Sequence, residues 1–299
     1  MSSRATLLAL GGAVAIAFTG VLVRLADVAP ASAAFWRCVY ALPFLAALAL
    51  LERRKRGRLD RRRHLLALAA GVFFAADLEL WHHSIAAVGA GLSTVVANLQ
   101  VVVVGVAAWV LLDERPSERV LVAAPIAFAG VFLISGVGSA AAYGDDPVLG
   151  VVYGLLTAVA YAGFLLLIRE AGRGLRTPAE IMFDATLSCA VSVAVLGAML
   201  GELELRPEWP AHGWLFVLAV SGQVVGYLAI AASLPLLPAV VASILLLVQP
   251  VLTVILAAIV VDERPSGLQV AGVLLVVVGI VIATSGGRRE REAGVPAEA

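Results

Sequence analysis

Four charged side chains lie within otherwise apolar stretches of the sequence, where ionisable groups are rare. They are Arg37, Asp77, Glu79 and Asp184. Each costs about 2.5–3.5 kcal/mol near the centre of a membrane helix, so a chain that keeps them is expected to use them. Two kinds of chemistry fit this set: binding of a polar small molecule and transfer of protons. A buried ion pair that includes Arg37 is the structural alternative.

Helical geometry separates the two acids that lie two positions apart. Residues at this spacing point about 200° away from each other, so Asp77 and Glu79 cannot share a helix face. Asp77 shares its face with Trp81 and Ser84. A carboxylate, an aromatic ring and a hydroxyl form the mixture expected of a small-molecule site. We therefore predict that Asp77, Trp81 and Ser84 bind a small-molecule substrate, with Asp77 as the principal residue of the site.

The opposite face of the same helix carries Glu79 with two histidines, His82 and His83. Histidine titrates near neutral pH, so these residues fit a proton relay, and hydrogen bonding near the outer membrane surface fits them equally. We expect Glu79 to pair with Arg37. Glu79 and His82 match half of a di-iron helix motif, but a second copy is missing from the sequence, so no metal site is predicted.

Further polar side chains lie in other apolar stretches and extend the predicted lining of a substrate site. Hydrogen bonding between helices is the alternative role for them. The predicted lining residues are Asn98, Gln100, Tyr161, Gln223, Tyr227 and Gln249. The residues predicted to couple protons or to form ion pairs are Arg37, Glu79, His82, His83 and Asp184.

Ten apolar stretches are each long enough to form a helix that crosses a bilayer. The chain of 299 residues is 62% hydrophobic and 14% charged, with a mean hydropathy of +1.01. Soluble domains are about 45–50% apolar and about 25% charged, so this composition excludes a soluble enzyme. A bilayer core about 30 Å thick requires roughly 20 apolar residues in a helix. The predicted spans are Ala5–Val23, Ala31–Leu51, Leu65–Val88, Leu92–Leu112, Val120–Val137, Val148–Ile168, Ile181–Leu200, Trp214–Leu237, Val240–Val261 and Gly267–Ser285.

Lysine and arginine residues are unevenly distributed among the segments that join these spans. With the N-terminus in the cytoplasm, the cytoplasmic segments contain seventeen of the 21 basic residues. The outside segments contain three, which are Arg24, Arg206 and Arg264. Because cytoplasmic loops are enriched in Lys and Arg, this distribution predicts that both termini are cytoplasmic.

The two halves of the sequence contain the same motif near the ends of the fourth and ninth spans. Asp113–Ser117 reads DERPS, and the same residues recur at Asp262–Ser266, 149 positions later. Identities at the same offset are Ser84 with Ser233, Ala90 with Ala239, Gln100 with Gln249, and Gly130 with Gly279. The unit is thus five helices repeated once, over 1–137 and 138–287, with a cytoplasmic tail at 288–299. Because five is odd, the second unit is inverted in the membrane, as is typical of secondary transporters.

These features resemble the drug/metabolite transporter superfamily in its ten-helix EamA-type form. The matching residues are Phe35-Trp36-Arg37 at the start of the second span, the acidic and proline signature that follows the fourth and ninth spans, and Gln249-Pro250. The family pattern has a proline in the fourth helix where this chain has Val101. The resemblance implies an all-α integral membrane permease. It names no cargo, because members move amino acids, nucleobases, sugars, nucleotide sugars, cations or drugs in either direction.

The predicted function is secondary transport of small metabolites across the cell membrane by alternating access, as exporter or importer. A membrane enzyme acting on a lipid-soluble substrate and a non-transporting scaffold are the alternatives. Neither a Walker-type glycine loop nor a hydrolase motif is present, so ATP-driven transport and hydrolysis are not expected. Cys38 and Cys189 lack the spacing of a metal site. We expect no cofactor and no nucleic-acid partner; the partners are a small-molecule substrate and the bilayer, and a homodimer is left open.

Overall fold

Every regular element in the described part of the chain is helical. The computed structural model describes residues 3–134, 146–175, 177–206, 208–252, 255 and 266–284. In chain order the elements are α1 (Ser3–Ala17), α2 (Thr19–Ala26), α3 (Pro30–Arg56), α4 (Arg61–Ala97), α5 (Gln100–Leu112), α6 (Glu118–Ile134), α7 (Pro147–Gly172), α8 (Pro178–Leu200), α9 (Ala211–Leu218), a π-helical segment (Ala219–Gly226), α10 (Tyr227–Ser233), a 3₁₀ turn (Leu234–Leu236), α11 (Ala239–Leu245) and α12 (Gly267–Thr284). In a bilayer such helices satisfy their own backbone hydrogen bonds, which lipid cannot do.

Among the residues that the structure describes, six helical stretches are long and apolar enough to cross a membrane. They are Pro30–Arg56, Arg61–Ile85, Val95–Leu112, Val148–Gly172, Pro178–Leu200 and Ala211–Leu236. Three shorter apolar helices are Ser3–Ala17, Ala239–Leu252 and Val270–Ala283. Large apolar side chains such as Leu111 and Met199 are 74% and 79% exposed on the surface of the bundle. The prediction of an all-helical fold is confirmed for the described residues.

Two of the predicted spans are less regular than their hydropathy indicated. The first is divided at Phe18 into α1 and α2, and Asp27, at the end of α2, has a left-handed backbone conformation. The eighth contains the π-helical segment between α9 and α10. Pro235 and Pro238 lie where we expected the break between the eighth and ninth spans, and a 3₁₀ turn ends the eighth span there.

The chain reverses direction within α4, near the predicted boundary between the third and fourth spans. A Cβ on Gly154 would lie 3.2 Å from Ser84 Oγ and 2.8 Å from Val96 Cγ1. In a straight helix, Ser84 and Val96 would be about 18 Å apart along the axis. Both can contact one glycine of α7 only if the backbone turns back between them, which makes two antiparallel arms.

Helices α6 and α12, which correspond to the fifth and tenth predicted spans, cross at small residues in a symmetric pattern. A Cβ on Gly130 would lie 2.6 Å from the carbonyl oxygen of Gly272, and one on Gly279 would lie 3.0 Å from that of Ala123. These four residues form two pairs at the 149-residue offset, so equivalent positions exchange roles across the contact. Going forward along α6 from Ala123 to Gly130 corresponds to going backward along α12 from Gly279 to Gly272. The two helices therefore run antiparallel.

The recurring motif itself is only half described. Asp262, Glu263, Arg264 and Pro265 lie outside the described residues, as does most of the predicted ninth span after Leu252. The same is true of residues 285–299, which include the predicted tail. The first copy of the motif, which follows α5, is described in full.

Candidate functional site

A buried arginine contacts residues of both halves of the chain. Arg37, in the second turn of α3, is 4% exposed, and its Nη2 donates a hydrogen bond to Gln223 Oε1 at 2.9 Å. Its guanidinium carbon lies 5.5 Å from the ring centre of Phe74 and 5.7 Å from that of Tyr227, within cation–π range. Asp77 is its electrostatic partner. Within the described chain, the Arg37 Nε has no hydrogen-bond partner.

Gln223 holds this arginine through an amide whose orientation is fixed at both ends. Its Oε1 accepts from Arg37, and its Nε2 donates to Thr186 Oγ1 at 3.0 Å. Gln223 is fully buried and lies in the π-helical segment. Such segments inside α-helices are frequent at functional sites. In direct contact, the arginine is therefore stabilised by a neutral oxygen and by aromatic groups.

Four aromatic rings form a wall beside Arg37. Phe74 stacks on Phe164 with centroids 4.7 Å apart, and Tyr227 meets Phe74 edge-on at 4.9 Å. Tyr161 lies 6.0 Å from Phe164 on the same side. The wall joins α4, α7 and α10, so both halves of the chain contribute to it. Aromatic surface with few polar groups is typical of a small-molecule pocket.

Asp77, three residues after Phe74 on α4, is half-buried. It interacts electrostatically with Arg37 and with Tyr161. Tyr161 in turn interacts with Tyr227 and Gln249 through its hydroxyl. Together with Arg37 and Gln223, these residues were all predicted from the sequence, and the structure brings them together. We refer to Arg37, Phe74, Asp77, Tyr161, Phe164, Thr186, Gln223, Tyr227 and Gln249 as the central cluster.

Three residues of the central cluster were not predicted: Phe74, Phe164 and Thr186. The two phenylalanines have no feature that separates them from lipid-facing ones in an apolar stretch. Thr186 lies two positions after Asp184, which was chosen for its charge alone. Spacing offered one weak signal, because Phe74 precedes Asp77 by three residues and so shares its helix face.

Glu79 does not contact Arg37, contrary to our expectation. Arg37 interacts with Asp77, whereas Glu79 interacts electrostatically with Glu202 and His83. Glu79 is 7% exposed, and its Oε1 has no hydrogen-bond partner among the described residues. The reason is helical geometry, because Asp77 and Glu79 lie about 200° apart around the helix axis. The face that carries Asp77 is the one turned to α3.

Two further predicted residues of α4 and α5 form hydrogen bonds to groups outside the central cluster. Ser84 donates to the Gly150 carbonyl at 2.8 Å, which ties α4 to α7. Gln100 donates to the Ser243 carbonyl at 3.5 Å. Both bonds match the alternative role of hydrogen bonding between helices.

The other predicted residues of this region contact aromatic rings or lie in a turn. Trp81 contacts His82 with ring centres 5.4 Å apart, and His83 contacts Tyr153 at 5.5 Å. Asn98 lies in the short turn between α4 and α5.

Asp184 belongs to a charged group near the start of α8. Its Oδ2 lies 2.5 Å from His64 Nδ1, and Glu180, one turn earlier, contacts Arg53 at 2.6 Å. Glu52 accepts hydrogen bonds from the backbone N–H groups of Ala179 and Glu180 at 3.0 Å. Asp184 thus has a hydrogen-bonding partner in His64, and its role in an ion pair stays a prediction. We refer to Glu52, Arg53, His64, Glu180 and Asp184 as the α8 charge cluster.

Cys38 and Cys189 meet where α3 packs on α8. Their sulfur atoms are 3.7 Å apart, both side chains are fully buried, and both thiols are free. The contact lies next to Arg37 in sequence and joins the two halves of the chain.

Comparison with known proteins gives the family. A family model described as the EamA-like transporter family matches residues 3–136 and again residues 148–285. The chain belongs to this family. The resemblance inferred from the FWR and DERPS motifs is thus confirmed, and so is the presence of two repeats.

The EamA-like fold is also found in a solved structure described as a crystal structure of a protein. It aligns with a TM-score of 0.79 over 97% of this chain and 99% of the other, at 18% identity. At this identity the likeness shows the fold alone. No curated protein sequence matches the chain. Family and apolar helices together identify a multi-pass membrane protein of a transporter family.

Proposed function

We propose that this EamA-like protein is a secondary transporter that moves small metabolites across the cell membrane by alternating access. The observation that carries the proposal is the central cluster, in which Arg37, Phe74 and Asp77 of the first matched region meet Tyr161 and Gln223 of the second. A site made by both halves changes its exposure when the halves move relative to each other. The proposed function involves no chemical conversion of the cargo.

The groups of the central cluster favour a small amphipathic cargo. Arg37 supplies positive charge. Asp77 supplies a carboxylate about 16 Å from the outer end of the predicted third span. The rings of Phe74, Phe164 and Tyr227 supply apolar surface. Polar groups of a cargo would bind the charges and hydrogen-bonding groups, while its apolar part would lie against the rings.

We further propose ten membrane spans in two inverted units, over 1–137 and 138–287, with both termini in the cytoplasm. The antiparallel crossing of Gly130 and Gly279 supports the inversion. The bias of lysine and arginine supports the orientation. Under this topology the loop after α3 and the turn after α10 are cytoplasmic.

The test is uptake by proteoliposomes across a panel of metabolites, with and without a pH gradient. Asp77→Asn keeps the size of the side chain and removes its charge. We expect it to abolish uptake of a cationic or proton-coupled cargo. Uptake is compared per amount of folded protein, because removing the charge also takes from Arg37 its electrostatic partner.

Glu118→Gln makes the matching change on an exposed glutamate at the start of α6 and should leave uptake unchanged. Normal uptake by Asp77→Asn, with Glu79→Gln inactive, would transfer the role to the other helix face. Normal uptake by both would leave the carboxylates with a structural role only.

A further inference from the structure

The first copy of the repeated motif connects the two halves of the protein through Glu114. Arg169 Nη2 donates to Glu114 Oε1 at 2.5 Å, and the backbone N–H of Ala239 donates to Glu114 Oε2 at 3.3 Å. Glu114 follows α5 in the first matched region, whereas Arg169 and Ala239 belong to the second. The carboxylate therefore binds the end of α7 and the start of α11 simultaneously.

Arg169 also binds the end of the eighth span. Its Nε donates to the carbonyl oxygens of Leu234 at 3.2 Å and Leu237 at 3.1 Å. Pro238 has no backbone N–H, so the Leu234 carbonyl lacks its regular helical donor four residues later. The Leu237 N–H donates to this carbonyl at 3.4 Å, and Arg169, which is 9% exposed, supplies a second donor. Glu114, Arg169, Leu234, Leu237 and Ala239 form one connected group, which we name the cytoplasmic latch.

The cytoplasmic latch lies across one end of the central cluster. Arg169 is eight residues beyond Tyr161 on α7, which is about 12 Å along the helix. Leu234 is seven residues beyond Tyr227, so the eighth span brings its latch residue to a similar depth. Close packing seals the same end, because a Cβ on Gly172 would lie 2.7 Å from Pro235 Cγ.

We propose that the cytoplasmic latch is the gate between the central cluster and the cytoplasm, closed when Glu114 binds Arg169 and open when the two separate. This inference rests on the proposed function, because a gate has a role only in a transporter. Charge-assisted hydrogen bonds are strong enough to favour one state and weak enough to exchange. Releasing Glu114 frees three helix ends together, so one event opens a path beside α5, α7 and α11.

The test measures access to the central cluster without using any cargo. A single cysteine is introduced by Tyr161→Cys in a background of Cys38→Ala and Cys189→Ala. A membrane-impermeant maleimide is applied to inside-out and to right-side-out vesicles. Glu114→Gln should raise the labelling rate from the cytoplasmic side about tenfold and lower it from outside, because one charge-assisted bond is lost.

Glu118→Gln is the matched control, since it makes the same change four residues away and outside the latch. Arg169→Gln removes the other partner of the same bond and should change the labelling rates in the same way. Combining Glu114→Gln with Arg169→Gln should add little to the effect of either single variant. Where Glu114→Gln does not yield folded protein, Glu114→Asp replaces it. Its shorter side chain cannot reach both Arg169 and Ala239, and an intermediate labelling rate is expected.

Equal labelling of wild type and folded Glu114 variants from both sides would overturn the gate. Labelling that increases equally with Glu118→Gln would do the same, because it would reflect general loosening. Failure of transport is seen separately, as an absence of uptake by the wild type across the metabolite panel. The two failures are therefore distinguishable.

Discussion

Arg37 illustrates how a guanidinium is kept inside an apolar bundle with neutral groups in direct contact. None of the ion pairs in the described chain includes it; an amide oxygen and two aromatic faces surround it instead. Asp77 interacts at longer range. Truncating one member of a buried charged pair leaves the other charge uncompensated, so the partner of Arg37 can be identified by coupled substitutions.

We expect Arg37→Ala and Asp77→Asn to be energetically coupled. Removing Arg37 leaves Asp77 in an apolar site, and neutralising Asp77 as well should restore part of the lost stability. Interaction energies of about 0.5–3 kcal/mol are usual for residues in contact or in one network. The measurement is a double-mutant cycle on thermal unfolding in detergent.

Glu79→Gln is the control for this cycle, because it neutralises the acid on the opposite face. Arg37→Ala and Glu79→Gln should be additive within about 0.5 kcal/mol. Coupling of Arg37 to Glu79 and additivity with Asp77 would reverse our assignment of the two faces.

At the scale of helices, close approach between backbones holds the two halves together. Without a hydrophobic force between helices in lipid, association depends on small residues that let backbones pack. A Cβ on Gly71 would lie 2.1 Å from the Ala185 carbonyl oxygen, and one on Gly12 would lie 2.7 Å from that of Gly226. Both glycines lie on helices that pack against the other half.

Gly130→Ala should destabilise the protein by about 1–3 kcal/mol, the usual cost of forcing extra volume into a packed contact. The added methyl group meets the Gly272 carbonyl and the backbone of Val276, which cannot move without shifting α12. Gly11→Ala is the matched control, since a Cβ there has nothing within 4 Å, and helix propensity favours alanine. Thermal unfolding in detergent checks both; equal stability of the two variants would show that the crossing is not tight.

The charged members of the site were predictable from the sequence and the apolar ones were not, for a physical reason. An arginine or an aspartate in an apolar stretch is costly, and its presence is therefore informative. Phe73 and Phe74 are adjacent and chemically identical, yet Phe73 is 39% exposed and Phe74 is 1% exposed. Which of the two phenylalanines is buried depends on where α7 and α10 pack. That packing is part of the tertiary structure and cannot be read from the local sequence.

Helix number and helix regularity were predictable to different degrees. Hydropathy indicates where an apolar stretch begins and ends, and the reversal in α4 falls near the predicted boundary. The composition of the sequence predicts neither the break at Phe18 nor the π-helical segment around Gln223. Both arise where helices of opposite halves pack, since Gly12 of α1 contacts Gly226 at the end of that segment.

For the whole molecule, orientation in the membrane determines which end of the bundle the latch closes. We expect a cysteine at Arg58→Cys to be protected from an impermeant maleimide in intact cells and one at Glu208→Cys to react. Both positions are exposed, and they lie on opposite sides under the predicted topology. Cys38 and Cys189 give no background, because both are fully buried. Equal reaction at Arg58→Cys and Glu208→Cys would contradict the topology.

The symmetric crossing of α6 and α12 bears on how such a protein originates. Gly130 contacts in α12 the equivalents of the residues that Gly279 contacts in α6. Two separate copies of one half would therefore make the same contact with each other, in antiparallel orientation. Duplication and fusion of a half-length gene would need no new interface at this position, because each half already carries both surfaces of the contact.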